Sequence, residues 1–190
     1  MNVPSLIVVT GRPGAGKTTL AHTLARMIRC PALIRDELKE GFVMTGHDLP
    51  PHTNANWLVF DTFFQAIELL LRNGITVVAE AAFQHHVWQP QLEMLQAIAQ
   101  IRIVVCSIDP AIARARFIQR GQLDPERERY HADWVVRAAQ EGQELPITTY
   151  DPPHLSVPTL KVDTTEGYCP PLETIAAFAM QREGRDLGEA

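Results

Sequence analysis

The chain has 190 residues, 46% hydrophobic and 21% charged, which is enough for one α/β domain with a sizeable core. Its net charge of −5 is a poor match for long nucleic acid, although a local basic patch could still hold a short strand. No apolar run approaches the ~20 residues of a membrane span.

The first element is a short β-branched run, Leu6-Ile7-Val8-Val9, of the kind that forms a buried parallel strand. The N-terminus enters it almost at once, leaving no room for a signal peptide. Gly11-Arg12-Pro13-Gly14-Ala15-Gly16-Lys17-Thr18 follows and fits G-x-x-x-x-G-K-[ST], the phosphate-binding loop or Walker A motif, at every fixed position. Thr18 to Ile28 reads as a helix, with Leu20, Leu24, Met27 and Ile28 recurring on one face. Such a loop turns its backbone N–H groups around an anion, and the helix adds its positive end. Residues 11–19, ending at Thr19, are therefore the expected nucleotide cradle. Lys17 is expected to reach the β- and γ-phosphates, and Thr18 to offer a hydroxyl to Mg²⁺.

Pro31 to Ile34 is a short second strand that runs into Arg35-Asp36-Glu37-Leu38-Lys39. A carboxylate just past a strand's C-terminal end lies on the ligand side of an α/β sheet. Asp36 could there accept a proton from a substrate hydroxyl or hold Mg²⁺ through water, or it could merely cap a helix. Arg35 and Lys39 could contact substrate. Gly41 to Thr53, with His47 and His52, lacks periodicity and reads as a loop over the acceptor site. Asn54 can cap the next helix, whose stripe is Trp57, Phe60, Phe63, Phe64, Ile67, Leu70 and Leu71, and Asn73-Gly74 ends it.

Ile75 to Glu80 is the third strand, ending on an acid. A carboxylate there assists Mg²⁺ or serves as the base. Phe83 and Gln84, on the same rim, are candidate walls of the acceptor pocket. His85 and His86 are adjacent and point apart, which makes a two-ligand metal site there improbable. Val87 to Gln100 reads as a helix with Pro90 near its start, and Ile101 to Ser107 as the fourth strand. Asp109-Pro110 opens a helix that carries Arg114, Arg116 and Arg120. Gly121 to Arg129 breaks the pattern and adds Arg127 and Arg129. Arginines of this kind suit charge neutralisation in phosphoryl transfer, Arg120 first and then Arg116, with a surface helix of Glu–Arg pairs as the plainer reading. His131 and Asp133 open another helix, to about Gln140, and could reach the acceptor when the segment closes. Thr159 to Asp163 is the fifth strand, followed by the Thr164-Thr165 turn, and Pro170 to Gln181 forms the last helix.

The organisation expected is one domain over residues 1–181, with a lid at about 114–141 and a frayed tail over 182–190. The three cysteines, Cys30, Cys106 and Cys169, are widely spaced, which reads as reduced thiols in a cytoplasmic protein rather than a disulfide frame or a zinc site.

These residues together resemble the small P-loop kinases: the loop at 11–18, Asp36 after strand two, Glu80 at the tip of strand three, arginines over 114–129, and Val162-Asp163-Thr164-Thr165. The nearest groups are polynucleotide kinase-like, chloramphenicol phosphotransferase-like and zeta toxin-like proteins, often gathered as AAA-type ATP-binding proteins. The resemblance implies a three-layer fold with a parallel sheet of order 2-3-1-4-5 and helices on both faces. It implies Mg-ATP as donor, with Lys17 and Thr18 on the nucleotide. It puts Asp36 on the acceptor hydroxyl and Arg116 or Arg120 on the transferring phosphate. Glu80-Ala81-Ala82-Phe83 stands where polynucleotide kinases carry an Asp-Thr-Asn-like signature, which weakens a nucleic-acid acceptor. The expected activity is phosphoryl transfer from ATP to a small hydroxylated molecule. The alternatives are a nucleotide-dependent switch without an acceptor and a 5′-hydroxyl nucleic-acid kinase.

Overall fold

Leu6, Ile7, Val8 and Val9 are all fully buried, and they alternate between two cores. Side chains on a strand point to opposite faces in turn, so a run that is apolar at every position must be covered on both sides. The computed structural model describes residues 3–46, 54–124, 134–143 and 149–181. Its strands are β1 (Ser5–Gly11), β2 (Ala32–Ile34), β3 (Val77–Glu80), β4 (Gln100–Ser107) and β5 (Thr159–Asp163). They form one parallel sheet in the order β2-β3-β1-β4-β5, as the kinase resemblance implies.

The helices are α1 (Lys17–Ile28), α2 (Arg35–Met44), α3 (Ala55–Arg72), α4 (His85–Leu95), α5 (Pro110–Leu123), α6 (Trp134–Gln140) and α7 (Leu172–Met180). Leu6, Val8, Val77, Ala79, Ile101 and Ile103 pack on α3 and α4 through Phe63, Phe64, Ile67, Trp88 and Leu92. Ile7, Val9, Val78, Val104 and Val162 pack on α1 and α7 through Leu20, Leu24, Ile175 and Ala176. This is the three-layer α/β sandwich of P-loop proteins.

Several boundaries differ from the sequence reading. α2 continues through Gly41 to Met44, so the first part of the expected acceptor loop is helical; residues 47–53 lie outside the described residues. α4 begins at His85, two residues early, holds Pro90 inside, and ends at Leu95. Gln100 belongs instead to β4, where it pairs with Ser5. α5 runs through Gly121 to Leu123. A Cβ on Gly121 would sit 2.6 Å from a Val136 methyl, so this glycine lets α5 and α6 pack closely rather than ending the helix. The two caps are as expected: Asn54 accepts from Asn56 N at 2.9 Å, and Asp109 accepts from Ala111 N at 2.8 Å.

All five strands run the same way, so their C-terminal ends share one rim. β1 lies between β3 and β4, where the chain, having filled one side of the sheet, crosses to the other. Ligands of open α/β sheets bind in the crevice at such a reversal.

Candidate functional site

β1 ends at Gly11, and the loop turns tightly: Ala15 N donates to Arg12 O at 3.1 Å, and Gly14 and Gly16 lie at φ +82° and +74°. Gly14 comes so close to α5 that a Cβ there would lie 1.9 Å from Ala113 O. α1 then starts at Lys17 with no side-chain cap and no acidic residue in its first turn. Its first N–H groups are therefore left for an anion, which the helix dipole also favours. Lys17 is 8% exposed, and its Nζ donates to Arg12 O at 3.1 Å and lies 3.8 Å from Glu80 Oε1.

The register of β3 on β1 sets Glu80 beside Val9 and brings the carboxylate under the loop. Thr18 Oγ1 donates to Glu80 Oε2 at 2.8 Å. Glu80 is only 4% exposed, and burial pushes its carboxyl above the ordinary range. Lys17, the Thr18 hydrogen bond and Arg120 oppose that rise, while Asp36 adds to it. Five of the expected residues, Lys17 and Thr18 on α1, Asp36 on α2, Glu80 on β3 and Arg120 on α5, thus share one electrostatic cluster. A buried, crowded carboxylate beside a hydroxyl is a hard-oxygen pair that a divalent cation would relieve. Thr18 and Glu80 therefore fit Mg²⁺.

Asp36 is the second residue of α2, and the cap position is Ile34, so capping does not account for it. Its side chain is 47% exposed, with Oδ1 3.2 Å from Arg35 Nη1. Arg35 Nη2 donates to Asn56 Oδ1 at 3.2 Å, and the guanidinium packs over the Phe83 ring at 5.9 Å. Phe83 is half-buried and joins an aromatic wall with Phe60, Phe63, Phe64 and Trp88. Trp57, expected in the core stripe, is 64% exposed.

The arginines of α5 separate. Arg116 donates through Nη1 to Thr164 O at 2.9 Å and through Nη2 to Thr165 O at 2.6 Å, and Thr164 Oγ1 donates to Ala15 O at 3.0 Å. Its head group therefore ties α5 to the β5 turn and, through that turn, to the phosphate loop, rather than facing a transferring phosphate. Arg120 is the one whose charge reaches Glu80. His131, Asp133, Arg127 and Arg129 lie outside the described residues.

Sequence reasoning missed Tyr150. Its hydroxyl meets Thr10 Oγ1 at 2.5 Å and Phe83 O at 3.2 Å, directly behind the loop. Trp88 Nε1 donates to the same Thr10 oxygen at 3.2 Å, and Thr10 donates to Ala81 O at 2.8 Å. Burial pushes the Tyr150 phenol to about 12. Thr10, a polar residue ending an apolar strand, was the one available signal; nothing marked Tyr150 in its proline-rich loop.

A family model described as an AAA domain matches residues 6–143. No curated protein matches the chain. Among solved structures, the chain resembles a candidate kinase from Chloroflexus aurantiacus at 22% identity and a TM-score of 0.72, covering 95% of this chain and 100% of that one. It resembles the APS kinase CysC of Mycobacterium tuberculosis, solved with AMPPNP and APS, at 16% identity and 0.56, covering 93% and 95%. A gluconokinase from Sinorhizobium meliloti matches at 19% and 0.51, covering 94% and 91%. At these identities the structures share the fold.

Proposed function

The chain belongs to the AAA domain family, with the architecture of the small P-loop kinases, and on that premise we propose that it transfers the γ-phosphoryl group of ATP to a hydroxyl of a small molecule. One observation carries the reading. Lys17, Thr18 and Glu80 converge at the uncapped start of α1, and the charges of Asp36 and Arg120 both act on Glu80.

The loop amides and the α1 terminus bind the polyphosphate. Lys17 leaves Arg12 O and Glu80 to lie on the β- and γ-phosphates. Thr18 and Glu80 would hold Mg²⁺, which supplies charge neutralisation between those phosphates when bound. Asp36 accepts the acceptor's hydroxyl proton as its oxygen bonds to the γ-phosphorus. The bond from that phosphorus to the bridging oxygen breaks, and its electron pair stays with ADP. Arg120 faces the charge that develops, while Arg116 keeps α5 and the β5 turn in register with the loop. Residues 1–181 would act as one catalytic unit, with the lid over about 114–141. The acceptor is read as a small molecule because, among the described residues, the rim beyond Asp36 is a compact aromatic wall beside Arg35 rather than an extended basic track. Among the described residues no helix is long and apolar enough to cross a membrane.

Asp36→Asn tests the assignment. A broad acceptor panel is screened with ATP and read by mass spectrometry of phosphorylated products. The variant should bind ATP as the parent does and lose transfer by about 10²–10⁴-fold, the usual contribution of a positioned base. Undiminished transfer removes Asp36 from the role. If no panel member is phosphorylated but partner binding follows nucleotide state, the protein is a switch.

A further inference from the structure

Arg35 is the second charged group on the acceptor side, directly after β2 and beside the proposed base. Among the described residues, buried side-chain nitrogens without a hydrogen-bond partner occur at two places, Arg35 Nε and Arg102 Nε. Arg102 lies in the interior of β4, opposite Ile7, with Phe178 under its guanidinium, away from the strand ends. Arg35 directly follows β2, at the C-terminal rim of the sheet. A buried N–H left unpaired is costly, and an exception at a functional rim calls for an explanation.

The charge balance supplies one. The Arg35 side chain is 18% exposed. Its ion-pair partner is Asp36, and its other contacts, Asn56 Oδ1 and the Phe83 ring, carry no charge. In the proposed reaction Asp36 takes up a proton. At that moment Arg35 loses its counter-charge while it stays largely shielded from water. An acceptor that brings its own anion restores the pair, and by drawing the guanidinium towards it gives the buried Nε–H a partner. A purely neutral polyol does neither.

We infer that the acceptor is an anionic alcohol, a hydroxyl compound that also carries a carboxylate or phosphate, and that Arg35 above Phe83 is the residue that selects it. This rests on the kinase reading of the same site. A guanidinium fork pairs with either anion through two parallel N–H donors, which makes the contact both strong and directional. Asn56 fixes one arm of the fork and Phe83 its plane, so the side chain is held ready. Arg35 also lies next to the base, which puts the acceptor's anion within a few bonds of the hydroxyl that reacts.

The test uses matched acceptors with one carbon skeleton: D-gluconate against D-glucitol, D-glycerate against glycerol, and ribose 5-phosphate against ribose. Transfer from Mg-ATP is followed by ADP release and product mass, and binding by calorimetry on the AMPPNP-loaded protein. The expected result is that at least one anionic member exceeds its neutral partner in kcat/KM or affinity by roughly 10- to 100-fold, the range of a charged hydrogen bond. Arg35→Gln should collapse that ratio towards one through KM for the acceptor, and Arg35→Lys should restore part of it. Thermal melts confirm that both variants are folded. A structural arginine would instead lower every acceptor and ATP affinity together. Equal or better use of the neutral members overturns the inference and leaves the kinase reading standing. So does an Arg35→Gln variant that keeps the preference. If no anionic member is bound or phosphorylated, the inference is overturned as well, and ATP binding alone then decides the kinase reading.

Discussion

Alanine at Gly14 and at Gly16 should have unequal effects, although both glycines lie in one loop and in the same backbone region. Each has a positive φ, so a methyl group costs about 1–2 kcal/mol in left-handed strain at either position. At Gly16 nothing lies within 4 Å of the added carbon. At Gly14 that carbon would meet Ala113 O at 1.9 Å and Ala113 C at 2.8 Å. These are backbone atoms of α5 and cannot swing aside. Either the loop or the helix must move by more than an ångström, and overpacking of this kind costs about 1–3 kcal/mol more. Gly14→Ala should therefore destabilise the nucleotide-free protein by about 2–5 kcal/mol and Gly16→Ala by about 1–2. For a chain of this size each kcal/mol lowers Tm by about 2–4 °C, so the extra cost at Gly14 should set its melting point about 2–12 °C below that of Gly16→Ala. Urea unfolding and calorimetry without ligand measure it. Equal destabilisation, or a Gly14→Ala protein as stable as its parent, would refute the contact between the loop and α5.

Replacing Arg116 by Met removes two charge-assisted bonds to the Thr164 and Thr165 carbonyls. A loss of about 2 kcal/mol is expected, seen as a Tm lowered by about 4–8 °C, with no change in the pH dependence of transfer. Glu80 gives a pH test. Its folded-state carboxyl lies above the ordinary 4.5, so the protein binds that proton more tightly when folded. Its contribution to stability is complete below about 4.5 and is lost as pH rises through the elevated value. In the proposed reading Mg-ATP takes the ionised form of Glu80. The gain in Tm on adding Mg-ATP should thus widen as pH rises from about 4.5 towards neutrality, and Glu80→Gln should give a smaller gain that hardly varies with pH.

What the sequence revealed was what neighbouring residues decide together. The phosphate loop is contiguous, and its strand and helix flank it directly, so its position and shape were legible. The placement of Asp36 and Glu80 at the C-terminal rim of the sheet was legible because each directly follows or ends an apolar strand run. The wider constellation depends on distant pairs. Arg116 reaches Thr164 and Thr165 across 48 and 49 residues, and Tyr150 reaches Thr10 across 140. No local pattern encodes such contacts. Helix ends failed for a related reason. Gly41 and Gly121 are breakers by propensity, yet α2 and α5 run through both, and at Gly121 the close packing of Val136 shows why. Gln100 could have ended a helix, but the open edge of Ser5 recruits it to β4.

The central claim is that residues 11–18 hold a nucleotide's phosphates with Lys17 among them, and the most direct measurement is calorimetric titration of Mg-ATP into the parent and Lys17→Ala proteins. The account predicts a weakening of about 100-fold or more in a variant that remains folded by circular dichroism. Unchanged affinity in a folded Lys17→Ala protein would contradict it.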